Sequence, residues 1–300
     1  MSVPADPATD NPGPCLTREA LLWAVISAVV AGALSAVLAV MQLGVGHALE
    51  LTRLNGAFDS EFWGGAPVTL LLWWCALAPP VTIAVIARWV PRPWERLLTV
   101  PAAMIGVLVA APLAEALAGP SYQERLDSAV VVGAVLGGVV ALLTALLPVV
   151  GWGVAAHAAS VWLVAALALL LGASPWMYAG QVSVAEWRVH VAGLSGAGFP
   201  GRLGLHIEDS LIVAVILTVL CGLLAAVVAR ARRSWWRGAL AGVIGPALAL
   251  LTYLVDGDRL VGANADAFVM AALLTLVALP VTVVGAGLGA VMGVQRIAAR

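Results

Sequence analysis

With 300 residues, 62% of them hydrophobic and 10% charged, and a mean hydropathy of +1.03, the chain has too little polar surface to coat a water-soluble globule, so its apolar solvent is lipid. The net charge of −1 says little as a sum, because the charges sit in short stretches between long apolar runs, and no nucleic-acid partner is expected. Every basic residue is an arginine, which with the excess of Ala, Val, Leu and Gly points to a GC-rich bacterial genome.

Residues 1–19 are acidic and Pro-rich and read as a polar, disordered cytoplasmic tail. No apolar stretch precedes Cys15, so a lipoprotein-type cleavage signal does not fit, and the lack of a basic flank before the first apolar run argues for an uncleaved span over a signal peptide. A helix needs about 20 apolar residues to cross a hydrocarbon core of roughly 30 Å, since each residue rises about 1.5 Å. Apolar runs of that order lie near 20–43, 67–89, 97–118, 128–173, 210–230, 238–255 and 267–293. The run 128–173 would measure about 69 Å as one helix, so it must fold back. Pro148 with Gly151-Trp152-Gly153 is the expected turn, giving spans near 128–150 and 152–173. The prediction is an all-α, polytopic bundle of eight spans forming one transmembrane domain over 20–300.

Arginine placement tests this count, because short cytoplasmic flanks carry the excess of Arg and Lys. Arg18, the set Arg88, Arg92 and Arg96, the set Arg230, Arg232, Arg233 and Arg237, and the pair Arg296 and Arg300 fall on one side if there are eight spans. Those segments hold ten arginines against four acids; the opposite flanks hold five arginines against twelve acids. Both termini are therefore expected in the cytoplasm, in a bacterial plasma membrane. Cys75 and Cys221 lie inside apolar runs, so no disulfide framework is expected. Trp73, Trp74 and Trp162 lie deep in their spans and read as packing residues, whereas most other tryptophans fall near the interfaces.

Four spans per half return the chain to the same side, so a 4+4 tandem repeat would place two halves in parallel. Landmarks recur at nearly one interval: Trp23 and Trp162, like Asp127 and Asp266, are 139 apart, Arg96 and Arg237 are 141 apart, and Arg88 and Arg230 are 142 apart.

Few ionisable groups fall at membrane depth, where their cost makes each a candidate. His157, among alanines in the fifth span, and Glu115, near the outer end of the third, are candidate pathway residues. Pro79-Pro80 in the second span and Pro280 in the eighth are expected to break or kink their helices and free backbone carbonyls. Gly133 and Gly137, and Gly285, Gly289 and Gly293, place glycines on one helix face for close packing; Gly238 and Gly242 do so in the seventh span. The outer acids, among them Glu50, Asp127, Asp256 and Asp266, would form an electronegative vestibule or simply follow from topology.

Between the fifth and sixth spans, 174–209 is the one sizeable soluble segment. Val182–Val184, Trp187–Val191 and Leu203–Ile207 alternate as strands do, predicting a small outer β-hairpin that bears Trp176, Tyr178 and Trp187 as a lid or docking patch. Convergence of His190, His206, Glu186 and Glu208 on zinc lacks any ligand-spacing motif, and no metal or cofactor is expected. No P-loop, His-Glu-x-x-His, Gly-x-Ser-x-Gly or haem-attachment motif occurs, so no catalytic residue is assigned. The sequence favours a transport-type component, either a small-solute permease or the membrane subunit of an export complex. The alternative is a non-transporting scaffold or accessory subunit of cell-envelope machinery. Partners would be the bilayer itself and a protein met through the outer loop or the arginine loops.

Overall fold

The computed structural model describes residues 18–51, 66–117, 123–170, 174–185, 205–256 and 262–298. The tail 1–17 with Cys15, and the segment 186–204 with Glu186, Trp187 and His190, lie outside those residues. Among them the helices are α1 (Arg18–Ala48), α2 (Ala66–Ile86), α3 (Pro93–Val107), α4 (Ala110–Leu117), α5 (Gln123–Leu146), α6 (Pro148–Leu170), α7 (Leu205–Arg232), α8 (Trp235–Val255) and α9 (Gly262–Ala298), with strands β1 (Ser174–Tyr178) and β2 (Gln181–Ala185) between α6 and α7. Eight helical stretches are long and apolar enough to cross a membrane, α3 and α4 together making one of them. The chain is an all-α bundle of the kind a multi-pass membrane protein requires.

Local chemistry explains the breaks. The third span divides at Leu108-Val109, where i→i−3 bonds replace the helical ladder. Pro112 lies four residues beyond Leu108, and a proline ring clashes with the carbonyl four residues before it while offering no N–H. The fourth and fifth spans meet at Leu147 alone, with Pro148 opening α6, the position where a missing N–H costs least. The expected turn at Gly151-Trp152-Gly153 is instead helical. Both glycines are packing sites: a side chain at Gly151 would strike Thr144 and Ala84, and one at Gly153 would strike Ile244 and Ala241.

Neither Pro79-Pro80 nor Pro280 ends a helix, since α2 and α9 run through them. Within α2 the carbonyl freed by Pro80 is that of Ala76, and this is the atom Gly137 of α5 faces at 2.6 Å from where its Cβ would be. The glycine stripes act in the same way. Gly133 lies against Leu72 and Cys75 of α2, and Gly285 and Gly289 lie against Gly222 and Ala226 of α7. Gly293 continues that stripe within α9. These contacts are within the chain, which is how small residues let backbones approach in a bundle.

The second helix is the centre of the molecule. Of its apolar window, 89% is buried, against 17% for α1 and 28% for α9, and the second helix touches α1, α3, α5, α6, α8 and β1. Trp73 and Trp74 are fully buried, and Trp74 stacks on Trp162 with centroids 6.1 Å apart, so the deep tryptophans are packing residues. The neighbours also repeat. In the first half, span one packs on two and three, two on three and four, and three on four. In the second half α6, α7, α8 and α9 repeat the same pairings, the arrangement a tandem duplication produces.

The hairpin departs from expectation in place and extent. Ser174–Tyr178 forms the first strand, Ala179-Gly180 the two-residue turn, and Gln181–Ala185 the second strand, with Tyr178 opposite Gln181 and Ser174 opposite Ala185. Gly180 has φ +76, in the left-handed region that glycine enters without a Cβ penalty. The stretch expected as a strand at Leu203–Ile207 is the start of α7 from Leu205 onward, where His206 and Glu208 are helical.

Candidate functional site

Ala179, Gly180, Gln181 and Val182 are buried: the hairpin turn enters the bundle. A side chain at Gly180 would collide with the Ala249 side chain in α8 and approach His157 Nε2 at 3.4 Å. Ala249 lies six residues from the end of α8 at Val255, about 9 Å along the helix. Strands of five residues at about 3.3 Å each are long enough to span that depth. Irregular backbone is tolerated among membrane helices only where protein or a cavity surrounds it. Here it is enclosed by α2, α6 and α7, which touch the strands, and by Ala249.

His157 forms the floor of this insertion. Its Nε2 lies 3.1 Å from the Gly180 carbonyl, an acceptor only, so Nε2–H donates. The ring meets Trp73 edge-on with centroids 6.4 Å apart. Across α8, Gly245 supplies the space: a side chain there would overlap His157 Cβ and come within 2.6 Å of Cγ. The histidine is 3% exposed. Its Nδ1, an acceptor in this tautomer, and the Trp73 indole Nε1, a donor, are both buried and have no partner among the described residues. Unmatched polar atoms are rare in protein interiors and each calls for an explanation.

Further polar groups join the hairpin to the helix ends above it. Gln181 Nε2–H donates to the Ala267 carbonyl of α9 at 2.6 Å. Tyr253 is fully buried, beside the Phe268 ring at 6.3 Å. Asp256 at the C-terminus of α8 is 6% exposed; its carboxylate accepts a hydrogen bond from the Thr69 hydroxyl of α2 and lies 4.0 Å from the Arg125 guanidinium of α5. Sequence reasoning counted Asp256 as one outer acid among many. Its spacing gives no sign of a buried clasp between halves, because Thr69 is 187 residues away.

The structure gathers only some of the expected residues. His157 lies at the seam between halves, and Pro79 and Pro80 are buried in α2 facing α5 and α6. Glu115 in α4 is exposed, as is Pro280 on the outward face of α9, so neither shares the enclosure around His157. Glu50, Asp127 and Asp266 are exposed while Asp256 is not. Among the described residues no group of His, Cys, Asp and Glu is placed to hold a metal. No family model, no curated protein and no solved structure matches the chain.

Proposed function

We propose that the chain is a transport-type membrane component, a small-solute permease or the membrane subunit of an export complex, oriented with its arginine-rich end in the cytoplasm. Its pathway follows the seam of α2, α6 and α8, and the inserted hairpin closes the outer half of it. The observation carrying this reading is the turn Ala179-Gly180 seated on His157. A histidine within a span and irregular backbone beside it are the two features membrane proteins use to handle a solute or a proton. The unmatched Nδ1 and indole N–H are groups a passing solute would satisfy.

Transport requires the hairpin to leave its seat in some state. In a chain with Cys15, Cys75 and Cys221 replaced, a single cysteine at Ala249 is tested with a membrane-impermeant thiol reagent, with and without deletion of 174–185. Slow labelling in the full chain, faster when the hairpin is removed and reaching a cysteine at His157 as well, supports a gated path. Protection of both positions in both chains would sink it.

The complete enclosure of His157 favours a second reading, a non-transporting scaffold or accessory subunit of cell-envelope machinery that is permanently closed. That reading expects a stable partner in mild detergent, and consistent recovery of a lone monomer would remove it.

A further inference from the structure

At the end opposite the hairpin, the joint between α5 and α6 and the two arginine-rich turns enclose a cavity of about 480 Å³. Arg88 in the turn after α2, Arg96 in α3, Arg232 at the end of α7 and Arg237 in α8 all line it, together with Trp152 and the apolar residues around Pro148. No carboxylate is among the lining residues. Four guanidinium groups in one concavity repel one another, and such a grouping is stable when an anion occupies it.

The arginines are also held in place. Arg96 is 8% exposed; its Nε donates to the Val90 carbonyl at 2.7 Å and its two terminal nitrogens to Ala145 at 3.2 Å and Pro91 at 2.5 Å. Those bonds use three of five N–H donors and take up no charge. The Arg88 guanidinium lies 4.7 Å over the Trp152 ring, and that of Arg237 lies 5.2 Å from the Trp236 ring, contacts that favour a cation on an aromatic face. Planar forks held on rings and carbonyls suit the bidentate recognition of phosphate oxygens.

We propose that this cavity is a binding site for a phosphate-bearing anion. The neighbouring Trp235 and Trp236 are exposed and apolar walls line one side, as suits the headgroup of an anionic phospholipid; a soluble phosphate offers the same oxygens. The proposal stands whether or not the chain transports a solute.

The test uses the full chain purified in a neutral detergent. Native mass spectrometry measures uptake of phosphatidylglycerol against phosphatidylcholine, and calorimetry measures binding of inorganic phosphate, for the native chain, for R88Q with R237Q, and for R230Q, whose arginine is outside the lining. Arg96 is left intact because its bonds hold the 90–96 turn. Selective uptake of phosphatidylglycerol, weakened at least tenfold in the double variant and little changed in R230Q, supports a lipid headgroup as the occupant. The same dependence for phosphate without lipid selectivity supports a soluble anion. Should the double variant fail to fold, R88K with R237K keeps the charge and loses the fork, and is expected to weaken binding severalfold. Absence of both kinds of binding, or equal weakening by R230Q and the cavity variants, overturns the proposal.

Discussion

Replacing Gly180 by alanine tests whether the hairpin turn sits inside the bundle. Two costs act together. A residue with a Cβ at φ +76 loses about 1–2 kcal/mol in the left-handed region. The new methyl also overlaps the Ala249 side chain, and overpacking of this kind costs about 1–3 kcal/mol. The expected loss for G180A is therefore about 2–5 kcal/mol. Removing the other methyl separates the two. A249G alone costs about 1 kcal/mol from helix propensity, but combined with G180A it relieves the overlap and leaves only the backbone term. The double variant should be more stable than the sum of the singles by about 1–3 kcal/mol. Reversible unfolding of the detergent-solubilised chain, followed by tryptophan fluorescence, reads all four corners of the cycle. Additivity within about 0.5 kcal/mol, the level shown by independent sites, would mean that the turn does not rest on α8 and would refute the inserted-hairpin geometry.

Three further outcomes follow from the packing. D256A removes the acceptor of the buried Thr69 hydroxyl and should cost about 1–3 kcal/mol in the same unfolding assay; R125A, at a side chain 41% exposed, should cost under about 1 kcal/mol. G285A places a methyl against the Gly222 backbone and should lose about 1–3 kcal/mol, whereas G287A, with nothing within 4 Å of its new carbon, should be neutral or gain up to about 1 kcal/mol; equal effects would contradict the α7–α9 register. G245V forces a branched side chain onto His157 and should separate α6 from α8, seen as faster thiol labelling of a cysteine at Ala249.

Length, hydropathy and arginine placement carried the bundle, because the constraint acting on them is a single solvent boundary that every span must satisfy. Pro148 could be located because one proline between two apolar runs has a local effect. The glycine stripes were legible as stripes, and only their partners required coordinates. The break in the third span was written in Pro112, four residues after Leu108, but the run 97–118 is long enough to cross as one helix and its length hid the interruption. The turn Ala179-Gly180 carries no strong hairpin signal, because the favoured two-residue loops need positive φ at both residues or glycine at the first, and here only the second, Gly180, has positive φ. Reading 174–209 as one outer segment obscured it further. The descent of the turn into the bundle left no trace in the sequence, because an apolar strand such as Val182-Ser183-Val184 has the same composition whether helices or lipid surround it. Long-range partners such as Thr69 with Asp256 are invisible for the same reason: each is a single residue and neither carries a spacing.

The repeated order of neighbours makes the location of the polar groups informative. If the two halves were equivalent in use as well as in packing, buried polar groups would recur at matching positions within each. They do not. His157 of the second half meets Trp73 of the first, Asp256 of the second accepts from Thr69 of the first, and the arginine cavity draws Arg88 and Arg96 from one half and Arg232 and Arg237 from the other. The second helix, buried over 89% of its window, faces that seam, while α7, which has its place in the second half, is 33% buried. Within each half glycine packs against backbone, as Gly133 on Leu72 and Gly285 on Gly222, beside polar bonds such as Arg96 with Ala145 and Gln181 with Ala267. Buried polar groups cost free energy that an apolar pair would not, and His157 with Trp73, Asp256 with Thr69 and the four cavity arginines bring several of them to where the two halves meet.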